Sequence, residues 1–558
     1  MRATRVAAFA AACLLAFAAG TAWAQAQPTP AGVPTTPSFS IFSFAVRGNT
    51  LLGQEEIEAA VYPFLGEGRT LADAEGARAA LERRYQARGF LTVVVTLPPQ
   101  ELADDEVRLE VTEARVGQRR IVGATAFLPS GIAAGLPSLV AGEAPNFERV
   151  QEELAALQGA APDLKLTPVV TAGRTPDRID IEIKVEDKLP LHGHLEANSR
   201  QSFNTDRGRL DASLRYDNLW QQRHSASLVW IVAPTATDQS NTVVAGYALP
   251  IGRGAQAARL SFSAVSSDSA TPSSLGGSTL VRGEQFGLRW RQGLATPVAG
   301  LVRGWSLGLD AKNNRDSTRT GSGIATGSGA LRYAVLSAGF DEFRASEDGT
   351  QTNWDVGLAL GPAGLNRRQV ECNGRPNDQF ACKRFGAEPG FELLKFNLAQ
   401  RGALPWAPRG WTLAWRVQGQ LADAPLASGE QVAAGGVDSV RGYLEYEQVG
   451  DSGLVGSVEV GMPAWAPWRG ATLNAVAFID GAVLRVNRAL PGEVPNVRLR
   501  SLGFGLRLGS SQGLRAQLDV AVPLATTLKA DSNGTLQGSS GPGSANELRV
   551  DLSLRQSF

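Results

Sequence analysis

Apolar and polar residues alternate with a period of two along the last two-thirds of the chain. In Trp411–Leu421, the side chains of Trp411, Leu413, Trp415, Val417 and Leu421 fall on one face, and Thr412, Arg416, Gln418 and Gln420 on the other. A strand divided in this way has a dry face and a wet one. The same rule sets Phe286, Leu288 and Trp290 against Gln285, Arg289 and Arg291. It also sets Leu548, Val550, Leu552 and Leu554 against Arg549, Asp551, Ser553 and Arg555. Between Leu191 and Phe558 the pattern predicts sixteen strands, starting near residues 191, 210, 225, 242, 258, 284, 305, 331, 353, 391, 411, 453, 471, 501, 515 and 547. Strands of roughly 8–11 residues cross a bilayer when tilted, and an even number closes an antiparallel barrel with no edge left in lipid.

The connections carry the same message. Asn218–Arg223, Pro250–Gln256 and Gly509–Gly513 are short, whereas Ser266–Gly283, Lys312–Ala330, Gly361–Gly390, Ala422–Ser452 and Leu524–Ala545 are long. Short turns at one end and long loops at the other are the outer-membrane pattern. Trp220, Trp305, Trp406, Trp411, Trp465 and Trp468 all fall beside short turns, as an interfacial aromatic girdle requires. A soluble sandwich or propeller gives no reason for tryptophans to gather at one end of the strands.

Upstream of Leu191 the period changes to that of a small α+β unit. A strand at Ile41–Arg47 leads to a helix over Gln54–Pro63. Thr70 and Asp73 form a capping-box variant opening a second helix to Arg88, with Leu71, Ala74, Leu81 and Tyr85 as its buried stripe. Strands Leu91–Leu97 and Val107–Glu113 complete the unit. The order then repeats: strand Arg119–Ala124, helix Pro129–Leu136, a helix capped by Asn146 to Leu157, and strands Leu164–Thr171 and Arg178–Glu186. Two copies of one module, 39–117 and 118–188, therefore precede the strands of 189–558. Their sheet edges are able to take an added strand from an extended peptide.

Composition narrows the reading further. Lys and Arg total 54 and balance 54 Asp and Glu, so there is no basic excess to suggest nucleic acid. The 62 glycines suit many punctuated strands. Arg2 and Arg5, the apolar run Val6–Ala19 and Ala22-Trp23-Ala24 make residues 1–24 a secretory signal peptide, and 25–38 a proline-rich linker. Cys372 and Cys382 then sit in an oxidising compartment, which favours a disulfide stapling their loop. His192, His194 and His224 are too few and too scattered for a metal site, and His192 and His194 read as polar residues lining a lumen. Glycine-rich 321–329 lacks the strand–loop–helix context of a phosphate cradle. No nucleophile–base–acid set is present, so nothing carries an enzymatic reading, and no cofactor is implied.

The stretch Gly435-Gly436-Val437-Asp438-Ser439-Val440-Arg441-Gly442-Tyr443, running on to the glycine turn Gly450-Asp451-Ser452-Gly453, is a long loop whose arginine is able to fold back over the wet face of the sheet. With Arg84-Tyr85…Arg88-Gly89-Phe90, Pro98-Pro99-Gln100, Phe478-Ile479-Asp480 and the terminal Phe558, it resembles the POTRA-containing outer-membrane barrel superfamily. Within it the chain is most similar to two-partner secretion transporters of the haemolysin activation/secretion type. The resemblance implies two POTRA domains ahead of a sixteen-stranded barrel in the outer membrane of a Gram-negative bacterium, with the POTRA domains in the periplasm. It implies a lumenal partnership between Arg441, within Val440-Arg441-Gly442-Tyr443, and Asp480 of the Phe478-x-Asp480 motif. Arg suits that role because its planar fork holds a carboxylate bidentately. Ala482 departs from the family's usual glycine, and 25–38 is too short and proline-rich for a plug helix. The implied partners are a secreted exoprotein with an N-terminal secretion domain, membrane lipid, and the barrel assembly machinery that reads Phe558 during insertion. Assembly of other barrels is the alternative, and a passive porin or receptor a weaker one.

Overall fold

The computed structural model describes residues 38–558, except 102–103, 176, 203–204, 238–239, 253–256, 269–281, 297, 316–317, 320–324, 327–329, 373, 491–493, 531–535 and 539–543. The signal peptide at 1–24, the linker before Ser38 and most of the glycine-rich run 321–329 lie outside the described residues. The chain forms two compact units that divide between Ala114 and Arg115.

In the first unit, helices Gln54–Val61 and Leu71–Ala87 pack on a three-stranded sheet. Its central strand Glu106–Glu113 runs parallel to Ser43–Arg47 and antiparallel to Val93–Thr96. The Asp73 carboxylate accepts from the Thr70 N–H and hydroxyl, both at 2.8 Å, closing the first turn of the second helix. The buried stripe of that helix is Ala74, Ala77, Leu81 and Tyr85. Leu71, expected in the stripe, is 61% exposed, because the first helical position points away from the sheet and Ala77 occupies the covered face. Arg84 and Arg88 both reach Glu56, at 2.7 and 2.8 Å, tying the two helices together. Gly89 ends the helix at φ +87°. Gln100 substitutes for a strand partner: its amide accepts from the Arg108 N–H at 2.7 Å and donates to the Arg108 carbonyl at 2.8 Å.

The second unit opens with a module of the same order. Strand Arg115–Val122 runs parallel to Arg178–Asp187, which pairs antiparallel with Leu164–Ala172, and helices Pro129–Ala134 and Phe147–Ala160 cover one side. Asp187 receives the N–H groups of Thr125, Ala126 and Phe127. Burial pushes its carboxyl up, but these bonds and that of the Thr125 hydroxyl outweigh burial and hold it below the usual range.

The chain then enters a closed barrel of sixteen antiparallel strands. They are β1 Leu191–Asn198, β2 Arg209–Leu219, β3 His224–Val232, β4 Asn241–Ile251, β5 Ala258–Ser267 and β6 Gly283–Leu294. There follow β7 Leu301–Asn314, β8 Leu331–Ala345, β9 Gln351–Leu360, β10 Glu392–Ala403 and β11 Thr412–Ala422. The last are β12 Ser452–Gly461, β13 Ala471–Arg485, β14 Asn496–Ser510, β15 Leu514–Pro523 and β16 Arg549–Ser557. Strand β16 pairs with β1, and Gly193 and Phe558 exchange backbone bonds of 3.2 and 3.1 Å beyond the last paired residues. The largest departure from the expected starts is at β14, which begins at 496 rather than near 501.

Alternation sorts the strand faces. In β13, Ile479 is 66% exposed between Phe478 at 3% and Asp480 at 1%. Outward-facing Phe286, Leu307, Leu336, Phe504 and Leu552 are likewise exposed, forming an apolar belt far larger than a protein surrounded by water presents. Trp220, Trp305, Trp406, Trp411, Trp465 and Trp468 lie at or beside the short connections, at the end where β1 begins, here termed the module end. There Asp163 of the second module meets His192 at 2.8 Å, and Gln221 of the β2–β3 turn bonds the Ala126 carbonyl and the Leu128 N–H. His192 therefore joins module to barrel, while His194 bonds Ser213 at 2.6 Å.

At the opposite, loop end, the β9–β10 connection folds into helices Ala363–Asn366 and Gln379–Lys383 and a hairpin of Gln369–Cys372 with Arg375–Asp378. Cys372 and Cys382 are joined by a disulfide with Cα atoms 5.9 Å apart. Phe380 and Phe391 pack with Tyr333, Leu393 and Leu426 in a small core at this end.

Candidate functional site

The β11–β12 connection, residues 423–451, folds back into the barrel as a finger. Its apolar residues explain the direction. Ala434, Val440 and Tyr443 are buried against Val455 of β12, Ala482 and Leu484 of β13, and Leu499 of β14, all on the lumen side of the wall. Fully burying a side chain the size of Val440 contributes about 1.5–3 kcal/mol relative to exposure, which favours the loop inside.

Arg441 lies at the end of this seat. Its Nε and Nη2 bond Asp480 Oδ2 and Oδ1 at 2.7 and 2.9 Å, and its own backbone N–H donates to Oδ2 at 3.0 Å. Ser457 of β12 donates to Asp480 Oδ1 at 2.6 Å and accepts from Arg441 Nη2 at 3.1 Å. Nη1 bonds Glu459 Oε2 at 2.9 Å and lies 3.8 Å from Asp519 of β15. The guanidinium carbon stacks 3.3 Å from the centroid of the Phe478 ring. The Phe478-x-Asp480 spacing thus sets a ring under the cation and a carboxylate on its fork. Gly442 follows at φ +94°, where a Cβ would stand 3.1 Å from Pro523, so a side chain there is both strained and crowded. The Tyr443 hydroxyl lies 2.7 Å from the Ala525 carbonyl and 3.0 Å from that of Arg500.

The stretch Gly450-Asp451-Ser452-Gly453 is no glycine turn. Gln448–Gly450 pairs with Val432–Ala434, β12 begins at Ser452, and only Asp451 bends between them. Neither glycine has positive φ; at Gly453 a Cβ would stand 2.5 Å from the end of the Leu484 side chain and 3.0 Å from the Val483 carbonyl, so a larger residue would have to displace them. Asp451 is fully buried. It accepts both Nη atoms of Arg384, one at 2.7 Å, the Leu426 N–H at 3.0 Å, the Asn487 N–H at 2.7 Å and the Gln431 amide at 3.2 Å. One carboxylate therefore fastens the root of the finger to the loops on both sides.

Ser457, Glu459 and Asp519 were not singled out from sequence, although period-two alternation puts all three on the wet faces of their strands. Arg384 left no signal at all, since its loop has no periodicity.

Residues 39–114 match the family model "POTRA domain, ShlB-type". Residues 177–508, more than half of the 558-residue chain, match "Haemolysin secretion/activation protein ShlB/FhaC/HecB". The outer membrane transporter CdiB of Dickeya dadantii is 23% identical over 467 residues, covering 80% of this chain and 76% of the relative. The heme/hemopexin transporter protein HuxB of Haemophilus influenzae is 20% identical over 497 residues, covering 86% and 82%. The solved structure of CdiB from Escherichia coli shares the fold at TM-score 0.61 and 16% identity, over 95% of this chain and 93% of that one. BamA from Haemophilus ducreyi lacking POTRA domains 1–3 also shares it, at TM-score 0.52 and 13% identity, over 93% and 100%. The chain belongs to the ShlB/FhaC/HecB haemolysin secretion/activation family, and it is an outer-membrane transporter of the two-partner secretion type.

Proposed function

We propose that the two modules lie in the periplasm and receive an unfolded secreted exoprotein by its N-terminal secretion domain, and that the chain then threads through the lumen past the finger. The edges of the module sheets support the first step. Val94 on one edge strand and Val170 on another are half-exposed apolar residues beside unpaired backbone, suited to strand addition. With no nucleotide outside the cytoplasm, folding of the client beyond the loop end, or a bias in its binding, supplies direction. Phe558, paired through its backbone to Gly193 at the β16–β1 seam, is the residue read by the barrel assembly machinery during insertion.

The observation that carries this reading is the Arg441–Asp480 fork, which adds a charged clasp to the apolar seat of the finger on the lumen wall. The pair is buried, and the bidentate fork with the added bonds from Ser457 and the backbone N–H offsets its desolvation. Arg441→Ala and Asp480→Ala each leave the barrel inserted, seen as a heat-modifiable band, and lower the amount of exported partner. Parental secretion by both variants would remove the finger from the mechanism.

A further inference from the structure

The lumen-facing positions nearest the short turns are rich in arginine. Near the short turns stand Arg259, Arg291, Arg401, Arg507, Arg515 and Arg555. The carboxylates at that level are already engaged: Asp217 with Arg215 at 2.8 Å, Asp341 with Arg291 at 2.5 Å and Glu459 with Arg441 at 2.9 Å. Arg507 and Arg555 spend their charge on Asp519 and Glu196. Arg259, Arg401 and Arg515 make no side-chain hydrogen bond or ion pair among the described residues.

Register sharpens the point. Arg259 stands directly opposite Arg291 on β5 and β6, and Arg515 opposite Arg555 on β15 and β16. Further from the turns, the same two strands set Asp519 opposite Asp551, and β1 and β2 set Glu196 opposite Asp211. Like charges directly opposite on neighbouring strands are destabilising. A barrel shaped by stability alone would interleave the signs near the short turns, whereas this one sets arginine opposite arginine there; further up, carboxylates mix with Arg209, Lys312 and Arg549. Asp341 and Asp355 also stand directly opposite one another, and Arg291 pairs with Asp341.

Arg401, Arg507, Arg515 and Arg555 line one cavity of about 570 Å³ that reaches the finger at Val437 and Asp438. The carboxylates on its wall, among them Glu196, Asp438 and Asp519, are each held by an arginine, so Arg401 and Arg515 are left over. We propose that this collar of unpaired arginines receives acidic stretches of the polypeptide entering the barrel. The inference rests on the export reading and adds to it the chemistry of the client segment held at the lumen entrance. A free guanidinium fork takes a carboxylate bidentately, and because the five carboxylates on the wall are already paired, Arg401 and Arg515 are the groups there still able to do so.

The test is made on the full chain in detergent or liposomes, where the disulfide keeps Cys372 and Cys382 unreactive. A single cysteine is placed on the cavity wall by Ala414→Cys, with Ser553→Cys as a second site. Its modification by anionic sulfonatoethyl and cationic trimethylammonioethyl methanethiosulfonate is compared with that of free cysteine. The rate ratio is expected to favour the anion by about tenfold over the free thiol. It falls several-fold in Arg401→Gln/Arg515→Gln and in high salt, and oligoglutamate protects the thiol in the parent better than in the double variant. A ratio equal to that of free cysteine, a preference for the cation, no response to neutralisation, or thiols closed to both reagents at both sites overturns the proposal. Because none of these readouts depends on secretion, their failure is separate from failure of the Arg441 and Asp480 variants to lose export.

Discussion

Two buried arginine–aspartate pairs hold the finger, one at its tip and one at its root. At the tip, the charge of Arg441 is divided among Asp480, Glu459 and Asp519, with Ser457 and the Phe478 ring beside it. At the root, Arg384 has a single carboxylate, Asp451, which also gathers N–H donors from Leu426 and Asn487. A cation with several carboxylates within reach is able to exchange partners with little net change in energy. A carboxylate that collects donors from separate loops has no second arrangement. The tip is thus built to be re-made and the root to persist, so loss of the tip should show in transport and loss of the root in stability.

The largest effect should come from Asp451→Ala, which leaves Arg384 and two backbone N–H groups without their acceptor in a buried place. Removing one partner of a buried pair typically destabilises by about 3–5 kcal/mol. The measurement is the urea or thermal midpoint of the barrel, followed by the mobility of unheated protein on gels. A midpoint like that of the parent would mean that the three loops are held by something else.

Arg441→Ala should destabilise less, by about 1–3 kcal/mol, since Asp480 keeps the bonds from Ser457 and from the backbone N–H of residue 441. Arg441→Lys should not restore export, because a point charge cannot span both oxygens of Asp480 while also reaching Glu459. A fall in midpoint as large as that of Asp451→Ala would erase the distinction between tip and root.

The two pairs also differ in how far they could be read from sequence. Arg441 sits in a short loop motif and Asp480 on a strand whose period of two already turned it inward, so one register and one resemblance joined them. The barrel strands were legible for the same reason: a dry face and a wet face leave a mark at every second residue. Arg384 is 67 residues from Asp451 and lies in a connection that has no such mark, so only the folded chain brings them together. Leu71 shows the opposite failure. A helical stripe counted from the cap assigned it to the core, but at the first position of the helix the sheet does not reach it, and the smaller Ala77 is covered in its place.

A third arginine–aspartate pair extends the comparison to the exposed limit. Arg69 and Asp73 in the first module approach to 3.6 Å, with both side chains about a third exposed. Solvent and salt screen such a pair, and exposed pairs contribute little. The Asp73 carboxyl lies below its usual range chiefly because of the Thr70 N–H, then the Thr70 hydroxyl, with Arg69 a lesser influence. Its folded value is the depressed one. The stability it adds is therefore complete above the unfolded carboxylate value, about 3.9, and is lost as pH falls through the folded value. Hydrogen exchange in the first turn of helix Leu71–Ala87 should accelerate over that acid window in the parent, and Asp73→Asn should flatten the dependence. Arg69→Ala should leave it almost unchanged. If removing Arg69 loosens the turn as much as altering Asp73, then charge separation and not burial with shared donors governs these pairs, and the ranking of root over tip loses its physical basis.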